Sequence, residues 1–232
     1  MYKGKHFTAI VLAAGKGSRM NSDIPKQYMK LNGKEVIYYS LKAFQDSPVD
    51  NIVLVAGKQD IDFCREEIVE KYGFDKTKDI VEGGSERYWS VRNGLTVSKG
   101  TDYVLIHDSA RPCINDKIIL SLMDEVIISG ACTVGVSAKD TIKVVDENNY
   151  GIKTPDRNTL WQVQTPQGFS YNELLMAYSE MEKNNAGNIT DDTMIVERYL
   201  GKKSKLILGD YRNIKITTPE DILIAEIFLE NL

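Results

Sequence analysis

Phe7-Thr-Ala-Ile-Val-Leu-Ala-Ala-Gly-Lys-Gly-Ser-Arg-Met20 is an apolar run that ends in a glycine-rich, basic loop. The near-continuous stretch Phe7–Leu12 has the pattern of a strand buried on both faces, as in a parallel sheet covered by helices. Gly15 and Gly17 let the backbone turn tightly, so that its N–H groups can point at phosphate oxygens. Ala13 and Ala14 leave room for a base or ribose, and Arg19 and Lys26 add positive charge beside the loop. The loop is no P-loop, because GxxxxGK[ST] is absent, and no dinucleotide GxGxxG, because Met20 stands where the third glycine belongs. Taken alone, it reads equally as an ordinary strand–helix turn.

Outward from this stretch, strand-like and helix-like segments alternate. Val36–Phe44 and Ile61–Tyr72 have helical spacing, with strands at Asn51–Ala56 and Ile80-Val81. Ser85–Val97 reads as a helix, Tyr103–His107 as a strand, Asp116–Ser129 as a helix capped by Asn115 or Asp116, and Ala131–Val136 as a strand. This order predicts a three-layer α/β sandwich with a mostly parallel sheet. Ligands then sit at the carboxyl ends of the strands. Thr141–Val145 and Ile152–Thr154, joined by a polar turn, predict a hairpin arm spanning about 139–158. A hairpin of that size has no core of its own. It must either dock on a second subunit or lie as a lid on its own site. Helices Tyr171–Asn184 and Asp191–Tyr199, strands Lys205–Leu208 and Ile214–Ile216, and a helix from Pro219 with Thr218 as cap complete the pattern. No repeat, low-complexity segment or linker interrupts residues 1–232, which reads as a single domain.

The chain has 232 residues, 29 Lys plus Arg against 33 Asp plus Glu, and a net charge of −4. That balance offers no general basic surface for nucleic acid. No apolar run approaches the ~20 residues of a membrane span, and no export signal is visible, so a cytoplasmic protein is expected. Cys64, Cys113 and Cys132 form no CxxC pair and read as reduced thiols. His6 and His107 are the only histidines, which excludes a His-rich metal site.

Further motifs follow strand-like runs. Val81-Glu-Gly-Gly-Ser-Glu-Arg87 offers a second close backbone approach, with Ser90 one helical turn on; alternatively Ser85 merely caps the helix. Ile106-His-Asp-Ser-Ala-Arg-Pro112 places Asp108 to hold a divalent cation or a ribose hydroxyl, and Arg111 to fork a phosphate. The bland alternative is an isolated Asp108–Arg111 ion pair, and His107 reads as a packed strand residue. In the second half, Asp140-Thr141, Asp156-Arg157-Asn158, Gln164-Thr165-Pro166-Gln167, Ile189-Thr-Asp-Asp192 and Asn213-Ile-Lys215 are each ordinary in isolation.

Together and in this order, LAAGKGSRM, Pro25-Lys26-Gln27, GGSER, HDSARP, KDTIK, DRNTLWQVQTPQGF, ITDD and NIKITTPED resemble the 2-C-methyl-D-erythritol 4-phosphate cytidylyltransferase family, from about Thr8 to the C-terminus. The resemblance implies an enzyme of the non-mevalonate isoprenoid pathway that joins CTP to a sugar-alcohol phosphate and releases pyrophosphate. It implies a Rossmann-like nucleotidyltransferase sandwich, the sheet of nucleotide-sugar synthases, and a homodimer whose hairpin arm clasps the second subunit, with Thr141 and Arg157 completing the partner's site. The nucleophile, a phosphate dianion, needs no general base, so catalysis is positioning plus electrostatic stabilisation. Arg19, Lys26 and Lys215 are then the expected catalytic contacts to the α-phosphate and leaving oxygens. Ala13, Ala14, Gly15, Gly83, Ser90 and Asp108 would hold the nucleotide. Arg111, Thr141, Arg157, Thr165, Thr190 and Lys215 would hold the acceptor, Arg157 by a bidentate grip. Mg²⁺ or another divalent cation is the expected cofactor, beside Asp108.

Ser109, where the erythritol type usually has Ala or Gly, leans toward the related ribitol 5-phosphate enzymes, which feed wall or capsule polymers. A non-catalytic nucleotide sensor on the same fold would be favoured by loss of Arg19 or Lys26, and both are present. A dinucleotide-dependent dehydrogenase lacks its third glycine and an acidic residue after the strand Val53–Gly57.

Overall fold

The computed structural model describes residues 1–15, 24–184 and 187–230. The chain runs through strands β1 (Phe7–Ala13), β2 (Lys30–Leu31), β3 (Lys34–Glu35), β4 (Asn51–Ala56), β5 (Thr77–Glu82), β6 (Tyr103–Asp108), β7 (Ala131–Ser137), β8 (Val144–Val145), β9 (Gly151–Lys153), β10 (Trp161–Ser170) and β11 (Lys205–Leu208). The helices are α1 (Val36–Asp46), α2 (Ile61–Phe63), α3 (Arg87–Val97), α4 (Asp116–Ser129), α5 (Tyr171–Asn184), α6 (Asp192–Leu200) and α7 (Glu220–Leu229). Residues Cys64–Glu70 continue α2 as π-helical turns rather than the regular helix expected over Ile61–Tyr72.

A seven-stranded sheet, in the order β11-β7-β10-β6-β1-β4-β5, forms the centre. β1 lies parallel to both β4 and β6, β4 to β5, and β11 to β7. β1 is buried along its whole length and alternates between two cores. Phe7, Ala9, Val11 and Ala13 face α1, the π-helical turns and α4, whereas Ile10 and Leu12 face α3, α5 and α6. The apolar run therefore needs no polar face, and three layers result.

β10 was not anticipated as a strand. It lies antiparallel between β6 and β7, with a register shift between Val163 and Gln167 where Pro166 has no N–H to give the ladder. Its Gln-, Thr- and Pro-containing sequence hides a strand that is nonetheless buried from Gln164 to Phe169. Other expectations are corrected at the ends of elements. Ser85 is not the cap of α3; Glu86 takes that place without a side-chain bond. Ile214–Ile216 is not a strand. It is an irregular segment tied to the β6 exit loop by Ile216 N–H donating to the Ala110 carbonyl at 2.8 Å. α7 begins after Pro219 without a Thr218 cap. Instead Asp221 accepts the backbone N–H groups of Thr217 and Thr218. In the arm, pairing is limited to β8 with β9, apart from the central sheet.

Among the described residues no helix is long and apolar enough to cross a membrane. The three cysteines are buried and unpaired.

Candidate active site

The chain order leaves β1 toward β4 and β5 on one side, then returns to β6 on the other. The switch point of the sheet therefore lies between β1 and β6, and a crevice opens where their carboxyl ends diverge. Ala13–Gly15 and Asp108–Arg111 occupy those ends.

Two cavities meet there. The first, about 550 Å³, is lined by Ala13, Ala14, Gly15, Lys26 and Ser90, among others. Gln27 braces its β1 edge by donating to the carbonyls of Ala13 (2.6 Å) and Gly15 (3.1 Å). Lys26 Nζ donates to the Ile216 carbonyl at 2.7 Å, which joins this edge to the segment carrying Lys215. Gly83 packs so closely that a Cβ there would come within 2.2 Å of the Ala14 Cβ. Ser90 Oγ accepts from Gly84 N–H and donates to the Glu86 carbonyl, so its hydroxyl shapes the GGSE turn. Arg19 lies outside the described residues.

The second cavity, about 540 Å³, is lined by Arg111, Thr165, Thr190 and Lys215, together with Gln167, Asp191 and Thr193. Asp191 caps α6 by accepting from Met194 N–H, and its other oxygen accepts from Gln167 and Thr193. Thr141 and Arg157 line neither cavity of their own chain. Both are exposed, and Arg157 donates to the Lys139 carbonyl at the base of the arm.

Arg87, Asp108 and Lys215 line both cavities and form the wall between them. Asp108 is 8% exposed. Its Oδ1 accepts from Arg87 Nε at 3.1 Å and its Oδ2 from Lys215 Nζ at 2.6 Å. Burial alone would push this carboxyl up, but the two cations hold it well below the usual carboxylate range. The suggested Asp108–Arg111 pair is not what forms: Arg111 Nη1 donates to the Asn213 carbonyl at 2.8 Å. Arg87 Nη2 and Arg111 Nε are buried without a hydrogen-bond partner among the described residues. Spare guanidinium donors in the wall suit an anionic guest.

His107 sits behind the wall, fully buried. The Arg111 carbonyl can only accept, so His107 Nε2 carries the ring proton and donates to it at 3.2 Å. In the neutral ring Nδ1 then accepts the Thr165 hydroxyl proton at 3.2 Å, while Thr165 Oγ1 accepts from Asp108 N–H. Burial pushes the imidazole down to about 4, so it stays neutral. His107 is thus a packed strand residue, as read, but one that ties Thr165 to the Arg111 loop.

Asp108 offers a divalent cation one ionised carboxylate. Among the described residues no three His, Cys, Asp or Glu side chains gather to hold a metal. One carboxylate suits a Mg²⁺ ion that keeps phosphate oxygens and waters as its other ligands.

The sequence profile described as 2-C-methyl-D-erythritol 4-phosphate cytidylyltransferase matches residues 7–231. A protein of that name from Lachnospira eligens is 55% identical over 225 residues, spanning 96% of this chain and 99% of its own. One from Clostridium novyi is 48% identical over 225 residues, spanning 97% and 96%. The structure of 4-diphosphocytidyl-2C-methyl-D-erythritol synthase from Anaerococcus prevotii superposes with a TM-score of 0.85 at 32% identity, covering 98% of this chain and 97% of that one.

Proposed function

The chain belongs to the 2-C-methyl-D-erythritol 4-phosphate cytidylyltransferase family, and on that premise we propose a division of labour within its cleft. The enzyme is a nucleotidyltransferase of isoprenoid precursor synthesis. It joins CTP and 2-C-methyl-D-erythritol 4-phosphate to give 4-diphosphocytidyl-2-C-methyl-D-erythritol and pyrophosphate. The supporting observation is the wall of Arg87, Asp108 and Lys215 shared by two cavities, which lets two phosphorylated substrates meet across one set of charges.

The cavity at β1 takes CTP, with the backbone of Ala13–Gly15 and Gly84 against the nucleoside and Gly83 packed on Ala14 at its edge rather than in its lining. The cavity beside α6 takes the acceptor, with Arg111, Thr165 and Thr190 on its hydroxyls and phosphate. A phosphate oxygen of the acceptor attacks the α-phosphorus, and the bond from that phosphorus to the bridging oxygen of the β-phosphate breaks. The acceptor phosphate is already ionised, so no proton moves in this step. Lys26 and Lys215, with Arg19, balance the charge that builds on the equatorial and leaving oxygens. Mg²⁺ carried by the triphosphate would neutralise phosphate charge, with Asp108 as its protein carboxylate.

The arm belongs to a homodimer. Val144, Val145, Tyr150 and Ile152 are exposed on it, and Thr141 and Arg157 face neither cavity of their own chain. Both features are accounted for if the arm crosses to the partner and delivers these residues to its acceptor cavity.

Ser109 lines the nucleotide cavity and not the acceptor cavity, so its departure toward the ribitol type carries no weight for acceptor choice. Pyrophosphate release with CTP, measured with each acceptor separately, tests the reading. Turnover with methylerythritol phosphate and little with ribitol 5-phosphate is expected; the reverse preference overturns it.

A further inference from the structure

Arg87 closes the GGSER motif, whose chemistry the sequence assigns to glycine backbone and serine. It is the first residue of α3 and stands in the wall between the cavities. Its guanidinium spans two carboxylates: Nε donates to Asp108 Oδ1 at 3.1 Å and Nη1 to Asp192 Oδ2 at 2.6 Å. Asp192 is fully buried at the start of α6. Its Oδ1 accepts from the Tyr178 hydroxyl at 2.6 Å, and its backbone N–H donates to Gln167 Oε1 at 3.0 Å. A chain of hydrogen bonds therefore runs from α5 through the first turn of α6 and the start of α3 to the end of β6.

A buried carboxylate such as Asp192 is costly unless its charge is matched. Nothing in the transfer reaction calls for it directly, since it lines neither cavity. What it does is hold the guanidinium from behind. The front of that guanidinium holds one oxygen of Asp108, and Lys215 holds the other. With Lys215 as sole partner, Asp108 would keep the ammonium against the wall and would lose its own fixed orientation whenever Lys215 turned to a phosphate. A planar fork that spans two carboxylates is a task an ammonium group cannot repeat.

We propose that Arg87, anchored by Asp192 and Tyr178, is a positioning residue that fixes the Asp108 carboxylate and so frees Lys215 to serve the transferring phosphoryl group. The proposal deepens the cytidylyltransferase reading and rests on it.

The test uses the full-length enzyme as wild type, Arg87→Lys, Tyr178→Phe and the double variant, with thermal melts to verify folding. Steady-state kinetics are measured with CTP and methylerythritol phosphate, and CTP affinity by calorimetry. Arg87→Lys should lower kcat about tenfold or more, a larger factor than its loss of CTP affinity, because the carboxylate is misplaced while the rest of the nucleotide pocket stays. Tyr178→Phe should lower kcat severalfold in the wild-type background and no further in Arg87→Lys, since it acts through that side chain. Asp192→Asn, where it folds, should match Arg87→Lys; the Tyr178 cycle decides the matter if it does not fold. An unchanged kcat in Arg87→Lys or in Tyr178→Phe, or effects of the two that multiply, would overturn the proposal. A wild-type enzyme that fails to turn over methylerythritol phosphate would instead remove the underlying functional reading.

Discussion

Lys26 and Lys215 reach the wall of the nucleotide cavity from opposite ends of the chain, and the Lys26 ammonium rests on the Ile216 carbonyl. Its charge matters most when the α-phosphorus gains a fifth oxygen. Lys26→Ala should therefore cost about 10²–10³ in kcat and leave KM for CTP nearly unchanged. Steady-state kinetics with a normal kcat and a raised KM would assign Lys26 to ground-state binding instead. His107 gives a prediction about stability. Its buried imidazole is pushed from 6.5 down to about 4, first by desolvation. Between those values the unfolded chain binds the proton and the folded chain does not, so stability rises with pH across that window and falls as pH drops from 6.5 to 4. The difference is worth on the order of 3 kcal/mol. Urea melts of the metal-free protein at pH 7 and pH 4.5 should show His107→Gln losing much less stability than wild type over this interval. Equal losses would mean the ring is protonated in the folded state. Gly15 and Asp108 were legible as candidate site residues because each follows a strand, whereas Lys215 stood out only through the family resemblance of its motif. Arg87 and Asp192 were not, because their roles rest on a 2.6 Å contact across 105 residues of chain. The ITDD and GGSER motifs were visible, but no spacing rule pairs them.

At the scale of elements, Gly94 shows how closely α3 rides on the sheet. A Cβ at this position would stand 2.7 Å from Ile10 Cγ2 and 3.3 Å from Val55 Cγ2. Alanine in a helix interior normally gains about 1 kcal/mol over glycine. Here the overpacking against stiff β-branched side chains costs about 1–3 kcal/mol and wins. Gly94→Ala should lower the urea midpoint by the equivalent of up to about 2 kcal/mol, the overpacking cost less the propensity gain. A raised midpoint would show that α3 can lift without loss. Elements with strong periodicity and plain ends were read from sequence residue for residue: α4 over Asp116–Ser129, for which Asn115 is the cap of the two residues the sequence offered, α5 over Tyr171–Asn184, β4 and β11. β10 escaped because a strand flanked on both sides inside a sheet can carry Gln164, Thr165 and Gln167 when the cavity and its own network satisfy them. Ile214–Ile216 misled in the other direction. Ile216 is buried and Ile214 partly buried against α7 and the β6 exit loop rather than by strand pairing.

For the whole molecule, the three-layer order and the hairpin arm were both legible in the alternation of apolar patterns, whereas the arm's destination depends on a second copy of the chain. If the arm crosses, Arg157 and Lys215 serve one site from two subunits. Arg157→Ala and Lys215→Ala homodimers should each be nearly inactive. Exchanging them should restore activity toward about a quarter of wild type, because half the dimers are mixed and each has one intact site. Verified heterodimers with no gain over the parents would place both residues in one subunit's site. The central claim is that this cleft transfers a cytidylyl group to methylerythritol phosphate across the shared wall. Phosphorus NMR of the purified enzyme with CTP, Mg²⁺ and that acceptor addresses it most directly. The account predicts the two coupled resonances of a new diphosphate diester growing in step with pyrophosphate, and neither without the acceptor. Release of CMP and inorganic phosphates with no diphosphate diester, or no turnover at all, would contradict it.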